Sequence, residues 1–451
     1  MDHKLTAKEY IFLASMLFGM FFGAGNLIFP VFLGQNAGTN VFPAVIGFCL
    51  TGVGLPLLGV AAMGVAQKEN LLQMSSLVNR GFGYFYTCLL YLSIGPLFAI
   101  PRTATVSFSV GVLPMIPEEK STMVLLIFSA VFFAIVMYFS LKPSGILTWV
   151  GKILNPIFLV FLAILAVTAI VNPMGGIHDC EALGTYENMS FFQGFLDGYN
   201  TMDALASMAF GIVLINALRG LGVKSPGALS GGIVKAGFFS TALMAAIYVM
   251  LAVIGAQSRS VLGVNVDGGE ALYYIGAHYF GRFGGILLGI TVTVACLKTA
   301  IGLITSCSET FVAMFPKGPG YKTYAIIFTL FSFAISNVGL SKIIEFSLPM
   351  LMFLYPLTII LILMGLAGRS FGYDRRVYVA VAIPTTLAAI LDMINTLPKG
   401  IYTALNGPAL MAPFHQYLPF FNYGMGWVIP ALVGLAIGLI IHFVSPVKQE
   451  A

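Results

Sequence analysis

Phe18-Gly-Met-Phe-Phe-Gly-Ala-Gly-Asn-Leu-Ile-Phe-Pro30 sets a helix-breaking cluster, Gly23, Ala24, Gly25 and Asn26, inside an apolar segment (residues 10–33) long enough to cross a bilayer. An unpaired backbone N–H or C=O in hydrocarbon costs several kcal/mol, so unwound chain at that depth persists only against protein or a water-filled cavity, as at a transport site. Gly23 and Gly25 let the backbone turn without a Cβ penalty, and Pro30, lacking an N–H, deprives the Asn26 carbonyl of its helical partner. Two helix ends are thereby exposed. The first half directs carbonyls and a negative dipole end toward a cation; the second directs N–H groups and a positive end toward an anion. An amino acid zwitterion, with or without a sodium ion, matches both signs. The blander alternative is a Gly-rich helix packed closely on its neighbours.

A second segment repeats the anomaly. Asp197-Gly-Tyr-Asn-Thr-Met-Asp-Ala204 packs two carboxylates, an amide and two hydroxyls into an otherwise apolar stretch. Counting apolar runs of ~20 residues, the length that spans ~30 Å of hydrocarbon, gives about twelve segments, of which these are the first and the sixth. Five spans is an odd offset, so the second copy of a five-span unit is inverted across the membrane. Broken helices at matching places in the two halves mark the binding site of such a repeat. The expected division is residues 1–171 (spans 1–5), 172–368 (spans 6–10) and an appendix of 369–451 (spans 11 and 12 with the C-terminal tail).

Composition agrees with a polytopic all-α membrane protein: 59% hydrophobic, 9% charged, with 50 Gly and 22 Pro in 451 residues. The net charge of +5 is no nucleic-acid signal, because no basic patch with interleaved aromatics accompanies it. Of five cysteines, four lie in apolar segments and Cys180 stands alone in a polar loop, which gives neither a disulfide framework nor a zinc spacing. The N-terminal charges precede an apolar run too long for a signal-peptide core. With the N-terminus inside, 13 Lys and Arg fall in cytoplasmic tails and loops and five, Lys120, Arg259, Arg282, Lys342 and Lys399, in outer loops. That bias places both termini in the cytoplasm.

In span 6, Tyr199, Asn200, Thr201 and Asp203 are expected to line a site opposite Gly23, Ala24, Gly25 and Asn26, whereas Asp197, nearer the outside, could simply face water. Arg102 lies inside span 3. An always-charged guanidinium there needs a carboxylate, bare carbonyls or water, so it either pairs with Asp197 or Asp203 as a gate or structural tie, or snorkels to the outer interface. In span 8, Ala295, Lys298, Thr299, Gly302 and Ser306 share one helical face, and Lys298 is ~24 Å into the span, too deep to snorkel easily. The outer stretch 269–279 reads either as a short lid helix over an external vestibule or as an interfacial aromatic cluster.

At these residues the sequence resembles the bacterial branched-chain amino acid:cation symporter family over essentially its whole length. The matching motifs are Phe22-Gly-Ala-Gly-Asn-Leu-Ile-Phe-Pro30 with Leu33-Gly-Gln, Tyr91-Leu-Ser-Ile-Gly-Pro-Leu-Phe-Ala-Ile-Pro-Arg-Thr103, Gly198-Tyr-Asn-Thr-Met-Asp-Ala-Leu-Ala-Ser207 and Ala295-Cys-Leu. The resemblance implies a LeuT-type 5+5 inverted repeat in the bacterial inner membrane. It also implies uptake of leucine, isoleucine and valine with sodium or protons as coupling ion and no other cofactor. In that fold a sodium lies between broken helix 1 and helix 8, here backbone from Gly19 to Phe22 with Ala295, Lys298 and Thr299. Lys298 departs from the pattern, since an ammonium beside sodium suffers like-charge repulsion. It could replace the ion, carry a proton, or turn away to a carboxylate. Alternatives are a sodium-independent carrier or exchanger of other specificity and, from another class, an ion channel; neither a ring of like charge nor a filter motif supports the latter. No nucleophile–base pair or metal-ligand spacing suggests an enzyme.

Overall fold

The computed structural model describes residues 5–445 other than 24, 69, 143–145 and 224, with the side chains of 146–158, 212, 226 and 230 also outside the description. Its helices follow the expected spans in order. Span 1 is α1 (Ala7–Phe21) and α2 (Gly25–Ala37), and span 2 is α3 (Val41–Cys49) and α4 (Leu55–Ala66). After a short α5 (Leu71–Ser75), span 3 is α6 (Arg80–Leu92) and α7 (Ala99–Gly111), followed by α8 (Ser121–Leu141) and α9 (Ile146–Val171). Span 6 is α10 (Tyr186–Asp197) and α11 (Asp203–Gly220), and spans 7 and 8 are α12 (Pro226–Leu262) and α13 (Gly268–Met314). The remaining spans are α14 (Tyr321–Ser336), α15 (Leu340–Ala367), α16 (Arg375–Asn395) and α19 (Val428–Val444), with two short helices, α17 (Lys399–Ala404) and α18 (Gly407–Tyr417), before the last.

Among the described residues, seven helical stretches are long and apolar enough to cross a membrane, and Asp203–Gly211 with Val213–Gly220 forms an eighth, bent by 43°. Three shorter apolar helices, Leu159–Val171, Tyr321–Ser336 and Val428–Val444, accompany them. Their lipid-facing sides explain the exposed apolar residues, among them Ile127, Val131, Phe238, Phe239 and Ile440.

Glycines set the closest crossings. A Cβ on Gly34 would lie 1.9 Å from the Ala252 carbonyl oxygen, and one on Gly255 2.2 Å from that of Val31, so α2 and α12 touch backbone to backbone. Gly47 and Gly194 do the same for α3 and α10, with ideal Cβ positions 2.1 Å from the Phe191 oxygen and 1.9 Å from the Ala44 oxygen. The two crossings join span 1 to span 7 and span 6 to span 2, and an offset of five spans exchanges one pair for the other. Spans 3 and 8 pack together, as do spans 4 and 9, and the same offset maps each of these pairs onto itself. The packing thus has the two-fold pattern of a five-span repeat, with spans 1, 2, 6 and 7 forming one group and spans 3, 4, 8 and 9 another.

Two distortions were not anticipated. Spans 2 and 3 each contain a π-helical turn, Leu50–Gly54 and Ser93–Leu97, the second bent at Gly95 before Pro96. The first lies against the span 6 break, where the Thr51 hydroxyl donates to the Phe195 carbonyl at 2.7 Å. The 269–279 stretch is helical and forms the start of α13, which turns sharply at Gly281 (φ 63°). Asp267 caps it through Gly269 and Glu270 and takes a hydrogen bond from Ser109 at 2.8 Å, and Gly268 abuts the α2 backbone at Ile28. This segment therefore packs on α2 and α7 as a short covering helix.

Candidate functional site

The two broken spans meet in a buried polar knot. Helix α1 ends at Phe21, with the Phe22 N–H returning to the Phe18 carbonyl at 2.7 Å and the Phe22 ring stacked on Phe18 at 4.7 Å. Gly25 and Asn26, expected within the break, instead form the first turn of α2, which runs on through Pro30. The side chain of Asn26 explains the shift: its Oδ1 accepts the Gly23 N–H at 2.9 Å and so closes the break from inside the helix. Ala24 lies outside the described residues.

Asn26 Nδ2 donates to Asp203 Oδ2 at 2.5 Å and to the Tyr248 hydroxyl, which in turn donates to Asp203 Oδ2 at 3.2 Å. This triangle ties span 1 to span 6 and span 7. Span 6 breaks in a 3₁₀ turn, Gly198–Thr201, and Met202 adopts a left-handed conformation (φ 61°) before α11 starts at Asp203. The Thr201 hydroxyl donates to the Gly198 carbonyl at 2.9 Å and accepts the Asp203 N–H at 3.3 Å. The Tyr199 ring stacks on Tyr355 of α15 at 3.9 Å, and Asn200 is buried with no hydrogen-bond partner for its Oδ1.

Span 8 presents its polar face to the span 1 break. Thr299 flanks Gly23, with its Oγ1 3.7 Å from an ideal Cβ there, and donates to the Ala295 carbonyl at 3.1 Å. Lys298 Nζ reaches the Gly19 carbonyl oxygen at 3.5 Å, a long contact that places an ammonium at the carbonyl end of α1. The Lys298 ion-pairing alternative is not realised: among the described residues no carboxylate lies within salt-bridge reach of it.

Arg102 is 4% exposed, so it does not snorkel. Nor does the structure bring it to Asp197. That carboxylate takes hydrogen bonds from the Tyr186 hydroxyl and, at 3.0 Å, from Gln193 Nε2. Arg102 forms no salt bridge with Asp203 either, although the two charges are neighbours across the site. Its guanidinium lies over the Phe29 ring at 5.0 Å, its Nη2 is 3.3 Å from an ideal Cβ on Gly25, and its Nη1 has no hydrogen-bond partner.

Sequence reasoning missed three contributors. Tyr248, Tyr355 and Phe29 read as ordinary aromatics of apolar spans, and only the lone phenol in the run Ala245-Ala-Ile-Tyr-Val-Met250 and the Tyr355-Pro356 step offered a signal. The Tyr355 hydroxyl, facing Thr201, Asp203 and Arg102, is also without a partner. Buried polar atoms without hydrogen-bond partners on Arg102, Asn200 and Tyr355 thus gather around the breaks in spans 1 and 6.

The sequence profile described as "Branched-chain amino acid transport protein" matches residues 6–445. The chain is 47% identical over 439 residues to the branched-chain amino acid permease BrnQ of Lactobacillus delbrueckii subsp. lactis, covering 97% of both chains. It is 42% identical over 450 residues to the permease BraB of Bacillus subtilis (strain 168), covering 100% of this chain and 99% of the relative. Among solved structures, inward-facing Mhp1 superposes with a TM-score of 0.61 at 14% identity, over 98% of this chain and 92% of that one. MhsT in complex with L-phenylalanine gives 0.51 at 14% identity, over 98% and 99%. These two share the fold expected from the broken spans, a LeuT-type arrangement. A match over nearly the whole length to the family profile and to curated permeases makes the chain a member of the branched-chain amino acid transport protein family, a membrane transport protein and not an enzyme.

Proposed function

We propose that this protein is a secondary carrier that imports leucine, isoleucine and valine across the bacterial inner membrane by alternating access, with both termini in the cytoplasm. The observation that carries this reading is the joining of both broken spans through Asn26, Asp203 and Tyr248, beside exposed helix ends of opposite sign. Gly23, Ala24, Gly25 and Asn26 hold the charged ends of the substrate with Tyr199, Asn200, Thr201 and Asp203, and apolar walls receive its side chain. Asp203 takes both of its side-chain hydrogen bonds on Oδ2, which leaves Oδ1 for the ammonium. The repeats are residues 1–171 and 172–368, with 369–451 appended, and alternating access is relative motion of the two groups of spans about the site between them.

Coupling is to a cation, sodium or the proton. The carbonyl end of α1 near Gly19 and Phe22, with Ala295 and Thr299, offers oxygen ligands of the kind sodium takes, but the Lys298 ammonium already faces that end. The purified protein in liposomes should take up L-leucine saturably, with competition by L-isoleucine and L-valine and little response to D-leucine. Absent or non-stereoselective uptake overturns the carrier assignment, and conductance without saturation would return the ion channel.

A further inference from the structure

Arg102 is a buried cation without an anion. It is 4% exposed, its Nη1 has no partner, and among the described residues no carboxylate lies within salt-bridge distance of it. A buried unpaired charge costs several kcal/mol, so its retention calls for a partner absent from the chain itself. Its position says which kind. The guanidinium is held over Phe29 and lies against Gly25, the first residue of α2. The leading N–H groups of a helix have no intrahelical acceptor and carry its positive dipole end. Two independent positive features thus converge on one point, while the Asp203 carboxyl, which accepts from Asn26 and Tyr248, stands across the site.

We infer that Arg102 binds the carboxylate of the transported amino acid, jointly with the first-turn N–H groups of α2, while the substrate's ammonium turns toward Asp203. This rests on the carrier reading above and adds the residue that discriminates α-carboxylates. The Arg102 guanidinium and the Asp203 carboxyl form no salt bridge with each other, so a zwitterion can engage one with each of its ends. A guanidinium can take a carboxylate through two parallel N–H bonds, and one of the required donors, Nη1, is free. Gly25 leaves room for it, because a Cβ there would stand 3.3 Å from Nη2. Arg102 sits on span 3 and Gly25 and Asp203 on spans 1 and 6, so the substrate bridges the two groups of spans.

The test compares L-leucine with L-leucinamide, which keeps the side chain and amine but lacks the carboxylate, by calorimetry on the purified full-length protein. The wild type should bind leucine at least 100-fold more tightly than the amide. Arg102→Gln should lose roughly 10- to 100-fold in leucine affinity with little change for the amide, so that discrimination collapses, and Arg102→Lys should recover part of it. If Arg102→Gln does not fold, Arg102→Lys alone decides, with reduced discrimination expected. Equal losses for leucine and the amide in either variant, or unchanged discrimination, would overturn the assignment. If the wild type binds none of leucine, isoleucine and valine, the substrate reading fails separately, and the acid/amide comparison is made with whichever α-amino acid binds; binding of none overturns both.

Discussion

At Gly25 the backbone sits where any side chain would push on two neighbours: an ideal Cβ stands 3.2 Å from Phe29 Cε2 and 3.3 Å from Arg102 Nη2. Gly25→Leu should therefore abolish leucine uptake while the protein still inserts; wild-type uptake by that variant would remove this turn from the binding site. Tyr248 offers a subtler change. Its hydroxyl accepts from Asn26 and donates to Asp203, so Tyr248→Phe leaves a buried amide and a buried carboxylate each one bond short. The expected cost is about 1–3 kcal/mol of stability, read as a lower melting temperature, with weakened leucine binding. An unchanged melting point would mean that the triangle does not hold the broken spans together. Much of this candidate site was legible in the sequence, because Asn26, Asp203, Arg102 and Lys298 are residue types that lipid-embedded helices otherwise avoid. Their partners were not. Asn26 and Asp203 are 177 positions apart, and nothing local tells Tyr248 from a packing tyrosine.

Elements are fixed in place by backbone contact as much as by side chains. At the α2–α12 crossing, Gly34→Ala would drive a methyl group into the Ala252 carbonyl, a backbone atom that cannot swing aside. The expected loss is about 1–3 kcal/mol or more, with impaired transport because α2 carries half of the site; wild-type stability would show that the crossing yields easily. The appended spans are tied differently. Asp374 caps α16 through the Arg376 N–H at 2.9 Å and meets His442 of α19 at 2.8 Å. Hydrogen bonding from Arg376, with a further bond from His442, holds its carboxyl well below the usual carboxylate range. A depressed pKa contributes stability above the unfolded value, near pH 4, and loses it as pH falls through the folded one. Asp374→Ala should thus cost about 1 kcal/mol of stability, by an amount constant from pH 8 to 5 and shrinking only in stronger acid. A difference that vanished at pH 6 would contradict the capping role. Span positions were readable from apolar length alone. The π-helical turns at Leu50–Gly54 and Ser93–Leu97 were not, because Gly and Pro in membrane helices, as at Gly54 and Pro56 or Gly95 and Pro96, signal a kink without specifying its hydrogen-bond pattern.

For the whole molecule, orientation and coupling are the remaining consequences. Single-cysteine labelling on a cysteine-free background should find position 180 reachable from outside and position 370, exposed in the turn before α16, only from inside, and the reverse would overturn the topology argued from Lys and Arg. Coupling turns on one contact between the two groups of spans, that of Lys298 on span 8 with the Gly19 carbonyl on span 1, at 3.5 Å. Sodium bound at the same carbonyl end would lie close to the ammonium. Two unit charges ~4 Å apart repel by about 4 kcal/mol at an effective dielectric of 20, enough to lower occupancy by roughly three orders of magnitude. The ammonium can instead do the ion's structural work, satisfying the open carbonyl end of α1 and joining the two groups of spans. Leucine uptake by the wild type should then be unchanged when sodium is removed, while Lys298→Thr, which restores a hydroxyl beside Thr299 and removes the repulsion, should create sodium stimulation. Robust sodium-gradient-driven uptake by the unmodified protein, unaltered in Lys298→Thr, would show that the lysine does not stand in for the ion, and the protein would couple as an ordinary sodium symporter.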